Sequence, residues 1–318
     1  MSTHTDLGAG TALPVARKAT RESLKSRHRE WLAGYLFVLP DAIGLLVFVG
    51  APTILSLSLG FFEVSGFGSY QFVGLANYRR MFHDPLFLLS LRVTIVYILL
   101  LVPALYVAGL GLALFVQRST RFSGVVRSLL FMPQTVSLVV VALVWQVLLV
   151  DKIGVLSRAF ALIDLGRISW LGDPRYALTV LVLVSVWFLM GFYMLIFLGG
   201  LQDIPKEYYE AARIDGATGG TSFFRITLPL LRPTSFFVLL VSTVTAVCGS
   251  QTFDLVYVMT KGGPANTTSL AIFYVYQQAF LFNEYGYAAA MASFLVVVLL
   301  VLTVCMFALT RGGRFSYD

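Results

Sequence analysis

Six apolar runs, each long enough to cross a lipid hydrocarbon core, leave this chain few folds to adopt. They extend from about Tyr35 to Leu59, Leu88 to Val116, Leu129 to Val150, Ala177 to Gly199, Pro233 to Met259 and Tyr285 to Leu309. A core of ~30 Å takes about 20 helical residues. Barrel strands do not fit, because they use about 10 residues each with strict alternation, which these runs lack. Composition agrees, with 58% hydrophobic and 12% charged residues where a soluble domain carries roughly a quarter charged. The expected fold is all-α, a polytopic membrane protein of about six transmembrane helices.

Cations set the expected orientation. Arg17, Lys18, Arg21, Lys25, Arg27 and Arg29 precede the first run, Arg118, Arg121 and Arg127 follow the second, and Arg311 and Arg314 follow the last. Lys206, Arg213, Arg225 and Arg232 lie between the fourth and fifth runs. All fall on one side of a six-span layout, which the positive-inside rule makes cytoplasmic. The opposite loops carry Arg79, Arg80, Lys152, Arg158, Arg167, Arg175 and Lys261, so the asymmetry is a bias. Both termini are expected to be cytoplasmic. The net charge of +7 suits contact with anionic lipid, and no nucleic acid is expected as a partner.

Residues 1–31 are polar and basic and cannot bury enough surface to fold alone, so they read as a disordered cytoplasmic tail. Tail and first run together resemble a secretory signal, but the run is too long and lacks a clean small-residue cleavage pattern, so an uncleaved helix is expected. A transmembrane domain is expected at 32–312, with a cytoplasmic loop at about 201–232 and a short cytoplasmic tail at 313–318.

The segment between the fourth and fifth runs reads Glu210-Ala211-Ala212-Arg213-Ile214-Asp215-Gly216, then Arg225-Ile226-Thr227-Leu228-Pro229. Its chemistry predicts a helix-turn-helix beneath the membrane. Asp203 can cap a helix whose first turn tolerates Pro205, Glu207 lies near its positive end, and Gly216 can end it in a left-handed conformation. Ala211 and Ala212 allow close approach of a partner surface, Glu210 and Arg213 share a face, and Pro229 and Pro233 redirect the chain into the membrane.

Glu-Ala-Ala, Gly six residues after the Glu, and Ile-x-Leu-Pro ten residues after that Gly resemble the EAA loop of permease subunits in bacterial ATP-binding-cassette importers. The flanking Ile204-Pro205-Lys206-Glu207-Tyr208-Tyr209 and Leu230-Leu231-Arg232-Pro233 are similar to the carbohydrate-uptake branch typified by the maltose permeases. Tyr70–Tyr78 resembles the entry to the second span in such permeases, although an amphipathic interfacial segment fits as well. Gly262-Gly263-Pro264 is a turn by chemistry, and in many such permeases it follows the fifth span.

That resemblance implies a type I importer permease fold and a bacterial cytoplasmic (inner) membrane location. It implies coupling to a separate ATPase through Glu210, Ala211, Ala212, Arg213, Asp215, Gly216, Ile226, Leu228 and Pro229. The implied partners are a second permease subunit, two ATP-binding-cassette ATPase subunits and an extracytoplasmic solute-binding protein. ATP and Mg belong to the ATPase, since this chain has no Gly-x-x-x-x-Gly-Lys-Ser/Thr phosphate loop and is expected to hold no cofactor and to be no enzyme. His4, His28 and His83 form no metal-ligand pattern, and Cys248 and Cys305 sit in different spans.

Polar groups at membrane depth are the other pointer. Ser242, Thr245, Gly249 and Thr252 recur at helical spacing, with Gln251 and Asp254 beside them; a solute route and close helix packing both fit. Arg92 is a candidate partner for Asp254. Trp145, Gln146, Trp187 and Tyr193, and further Gln134, Tyr274 and Gln277, have the aromatic faces and amides that hold sugars, and equally suit interhelix packing. The expected function is the transmembrane subunit of an ATP-driven sugar importer. A glycerol-phosphate or glycerophosphodiester importer is the near alternative, and a self-contained secondary transporter or channel is the alternative of another class.

Overall fold

The computed structural model describes residues 24–65, 68–117, 121–151, 154–161 and 168–309. Residues 1–23 of the tail expected at 1–31, the tail expected at 313–318, and cations such as Arg17, Arg118 and Arg311 lie outside the described residues. The chain divides into two compact units, one through Leu55 and one from Ser56 onward.

In the first unit, α1 (Leu24–Leu45) passes through a π-helical turn at Leu46–Gly50 into α2 (Ala51–Leu59). The helix starts inside the segment assigned to the tail, because helix-forming residues such as Leu24, Lys25 and Glu30 extend it ahead of the apolar run. Ala51 donates to the Leu46 carbonyl, five residues back. This one-residue slip in the bonding falls next to Pro52, which has no amide hydrogen to give.

The second unit takes in the end of α2 from Ser56 and continues into a hairpin, β1 (Phe62–Ser65) against β2 (Ser69–Phe72), with Phe62 opposite Phe72. These four-residue strands are the described departure from an all-α chain. Asn77 in α3 (Ala76–Met81) is buried, and its amide donates to the Gly60 and Phe62 carbonyls, both at 3.0 Å. The Tyr70–Tyr78 segment is thus clamped to its own chain at Asn77.

Asp84 caps α4 (Pro85–Val116), accepting from the Leu86 and Phe87 amides at 2.9 and 3.3 Å, and Pro85 supplies the first helical φ. The third apolar run is not one helix. It comprises α5 (Arg121–Phe131), a tight turn at Met132–Thr135 and α6 (Leu138–Leu148), and the two arms meet at 96°. Pro133 in the turn and extended backbone at Val136 cause the break, and the 11 residues of α6 reach only about half a hydrocarbon core at 1.5 Å per residue. After α7 (Val155–Ala161), α8 (Ala177–Gln202) is straight and continuous.

The next segments are α9 (Lys206–Ile214), α10 (Gly219–Ser222), a π-helical turn at Phe223–Thr227, α11 (Leu228–Leu230) and α12 (Arg232–Cys248). The path from Gly219–Leu230 into α12 bends by 66°, where Pro229 and Pro233 were expected to redirect it. The fifth run is also interrupted, since α12 stops at Gly249 before α13 (Ser250–Leu255) and a π-helical turn at Val256–Thr260. Then come α14 (Ala271–Tyr276) and α15 (Tyr285–Leu309). Four described helices are long and apolar enough to cross a membrane, and counting each bent pair as one span gives up to six.

The core is built on α4, which packs along α8 and against α12. Tyr97, Leu101, Leu105, Tyr193, Met194 and Phe197 are among its buried members. Lipid removes the hydrophobic drive between spans, so small residues and hydroxyl pairs hold them together. Tyr97 meets Ser185 at 2.7 Å between α4 and α8, and Tyr106 meets Ser235 at 2.8 Å between α4 and α12.

Candidate functional site

The loop between α8 and α12 is built as a rigid elbow. Asp203 ends α8 and gives no side-chain cap to α9; Pro205 occupies the position before Lys206, and its fixed φ of −59° starts the helix. The expected capping role of Asp203 is therefore not realised. Glu207 does lie in the first turn and Arg213 in the last, each at the end that suits its charge.

Gly216 terminates α9 at φ +77°, as its position suggested. The Ala217 amide donates to the Ala212 carbonyl at 2.8 Å and the Gly216 amide to the Arg213 carbonyl at 3.1 Å. This pair of bonds is the Schellman arrangement, and it needs a left-handed residue at Gly216. Tyr209 then reaches Thr227 at 3.0 Å, stapling α9 to the return arm.

This geometry sorts the motif residues onto two faces. Ala212 is buried, and Ile226, Leu228 and Pro229 are half-buried on the return arm. Glu210, Ala211, Arg213, Asp215 and Gly216 are exposed, and Ile214 is 87% exposed. Tyr208, Ala211 and Ile214 thus offer an apolar strip flanked by charges. Among the described residues Arg80 and Glu284 form the ion pair, whereas Glu210 and Arg213 do not pair with each other. A cavity of about 310 Å³ opens at the elbow, lined by Gly200, Asp203, Ile204, Tyr208, Leu230 and Thr234.

Membrane-depth residues cluster around the interruption at Gly249. A Cβ there would overlap the Thr245 carbonyl, so close approach of backbone is what requires glycine. Thr252 donates to that carbonyl at 2.9 Å. Tyr193 is buried on α8, and Trp145 on α6 meets Trp187 on α8 edge-to-face at 5.5 Å. Helix α6 packs against α13, the arm that carries Gln251 and Asp254, both half-buried. Ser242 is fully buried, with its hydroxyl on the Leu239 carbonyl. Arg92 is exposed and makes no ion pair with Asp254.

An aromatic ladder was not anticipated. Phe253 stacks on Tyr257 at 5.5 Å, Tyr276 meets both at 5.0 and 5.5 Å, and Phe280 continues the series at 5.1 Å from Tyr276. Beside it is a cavity of about 340 Å³ lined by Cys248, Gly249, Phe253, Tyr276 and Phe280. The sequence did contain a signal, since Phe253/Tyr257 and Tyr276/Phe280 are each four apart and so share a helical face.

Residues 105–312 match the model of a family described as the binding-protein-dependent transport system inner membrane component. The chain belongs to that family. The matched residues of this inner membrane component include the elbow, the interruption at Gly249 and the aromatic ladder. It is 36% identical over 288 residues to YesP of Bacillus subtilis, described as a probable ABC transporter permease protein, with 89% of this chain and 92% of that protein covered. To the trehalose/maltose transport system permease protein MalF of Thermococcus litoralis it is 32% identical, covering 92% and 98%. One chain of the crystal structure of a bacterial alginate ABC transporter, in complex with an alginate pentasaccharide-bound periplasmic protein, superposes with a TM-score of 0.79. That match covers 90% of this chain and 96% of the other at 24% identity, and what it establishes is the importer permease fold.

Proposed function

We propose that this inner membrane component forms one half of the passage of an ATP-driven carbohydrate importer, and that the elbow at α9 receives the stroke of a separate ATPase. The observation that carries the reading is the construction of the elbow. A helix closed by a Schellman turn and stapled through Tyr209–Thr227 exposes Tyr208, Ala211 and Ile214 to a partner while both of its ends continue into spans. Force applied to such a rigid element is delivered to α8 and α12 together. Glu210, Arg213 and Asp215, which form no ion pair among the described residues, are placed to pair with the ATPase.

In this reading the ATP and Mg are held by two copies of the ATPase, a second permease completes the passage, and an extracytoplasmic solute-binding protein delivers the sugar. Both termini and the elbow are cytoplasmic in a bacterial inner membrane. The passage runs past Trp145, Gln146, Trp187, Gln251 and Asp254 and along the aromatic ladder, whose ring faces suit sugar C–H surfaces. The trehalose/maltose specificity of the Thermococcus relative supports a sugar as solute.

The experiment is purification of this chain from its native membrane in gentle detergent, with co-purifying proteins identified and ATPase activity measured with candidate sugars and the solute-binding protein. Recovery of an ATPase and a second permease, with activity raised by one sugar, is the expected result. Recovery of the chain alone, with reconstituted uptake that needs no ATP, would replace this reading by a self-contained transporter.

A further inference from the structure

A second polar site lies at the opposite end of the bundle from the elbow. Asp84 accepts four hydrogen bonds: the Leu86 and Phe87 amides, the Tyr274 hydroxyl at 2.8 Å and the Tyr287 hydroxyl at 2.7 Å. This one carboxylate therefore ties the start of α4 to α14 and to the start of α15. Arg80 lies with its guanidinium carbon 4.2 Å from the centre of the Tyr287 ring and bonds Glu284 at 3.0 Å. Beside this frame is an open cavity of about 530 Å³, lined in part by Arg80, Asn266, Tyr274, Gln277, Phe282 and Glu284.

Its volume falls in the range of small-molecule sites, roughly 300–1,000 Å³. Its chemistry is that of a polyol binder. Amides and a charged pair present donors and acceptors side by side, as vicinal hydroxyls require, and exposed Phe282 supplies a ring face. Charge narrows the class further. Arg80 is already matched by Glu284, and Asp84 adds a second carboxylate, so an anionic solute meets no surplus of positive charge. The frame holds the walls in place before any ligand arrives, which lowers the ordering cost of binding.

We propose that this cavity is an entrance subsite for a neutral polyhydroxylated solute of one or two sugar rings, separate from the deeper passage at Gly249. The assignment of this face to the outside rests on the importer reading above. A solute released there is held while α14, which carries Tyr274, and α15, which with α14 flanks Gln277, Gln278, Phe282 and Glu284, remain clamped to Asp84.

The test uses the whole transporter assembly in phospholipid nanodiscs free of sugar detergents, without the solute-binding protein. Binding of glucose, maltose, trehalose, lactose and sucrose is measured by saturation-transfer NMR, with glycerol 3-phosphate as the anionic comparison. At least one neutral sugar is expected to bind saturably, with affinity lowered about tenfold in Gln277→Ala/Asn266→Gly and unchanged in Cys305→Ser, a change at an exposed residue away from both sites. Glycine at position 266 retains its left-handed φ of +59°. In a separate Gln277→Cys protein, the bound sugar should slow modification by a membrane-impermeant thiol reagent, which reads the site even if the double variant folds poorly. Sugar binding that survives the double variant, protection that fails at Gln277→Cys, absence of binding by every sugar, or preference for glycerol 3-phosphate would each overturn the subsite. ATP-driven uptake that continues alongside any of these leaves the importer reading standing, whereas uptake without ATP removes that reading itself.

Discussion

The Thr252 hydroxyl donates to the Thr245 carbonyl at 2.9 Å across the interruption at Gly249. The carbonyl also receives the Gly249 amide at 2.9 Å, so a broken helix at membrane depth retains a satisfied acceptor. A side chain at 249 would overlap that carbonyl. Gly249→Ala is therefore expected to lower sugar uptake at least about tenfold and stability by about 1–3 kcal/mol, an overpacking cost. Thr252→Val should cost about 1 kcal/mol and leave partial uptake. Thermal unfolding and vesicle uptake check both; wild-type uptake by Gly249→Ala would confine the interruption to a packing role.

The Tyr97–Ser185 bond joins α4 and α8 at a site where both residues are buried. Tyr97→Phe and Ser185→Ala are each expected to lower stability, and the double variant should lose less than the sum. A coupling of about 0.6–1.7 kcal/mol is expected from intramembrane hydrogen bonds of this kind. The double-mutant cycle on thermal or denaturant unfolding measures it, and strict additivity would show that the pair contributes nothing specific.

What the sequence revealed follows the range of the forces involved. Span positions were readable from local hydropathy, and the left-handed turn at Gly216 from residue type and spacing. The 96° break in the third span was hidden because apolar residues continue across it; Pro133 was the local clue. Asp203 was assigned the cap by residue preference, but the chain enters α9 through Pro205. The clamp at Asp84 joins residues 190 and 203 positions away, and no local pattern specifies such partners. Ala212, paired with Ala211 in the motif, faces the fold instead of the surface, a distinction that appears only once α9 is seated on its return arm.

Asp84 predicts a pH dependence. Partial burial works to raise its pKa, but the hydroxyls of Tyr287 and Tyr274 and the Phe87 and Leu86 amides outweigh it and hold the carboxyl below its ordinary value. A depressed carboxyl contributes stability above its unfolded pKa of ~3.9 and loses it as pH falls through the lower folded value. Asp84→Asn retains an N-cap acceptor but not the charge. The variant should melt about 2–4 °C lower at neutral pH and should show a shallower decline as pH falls below about 4. Parallel melting curves for both proteins across that window would remove Asp84 from the acid response.

At the elbow, stability and coupling should separate. Gly216→Val places a β-branched residue at φ +77°, which costs roughly 1–2 kcal/mol and opens the Schellman turn that fixes the end of α9. Glu210→Lys changes an exposed residue with no ion-pair partner among the described residues, so its stability should stay within about 0.5 kcal/mol of wild type. Both are nevertheless expected to reduce uptake at least about tenfold if α9 docks the ATPase as proposed, because one would misplace that helix and the other would repel a cation brought to Glu210. Membrane insertion, recovery of the ATPase on purification and ATP-driven uptake are measured together. If Glu210→Lys retains the ATPase and transports like wild type, the docking face is the apolar strip of Tyr208, Ala211 and Ile214 alone; if Gly216→Val does the same, α9 is not the element that carries the stroke.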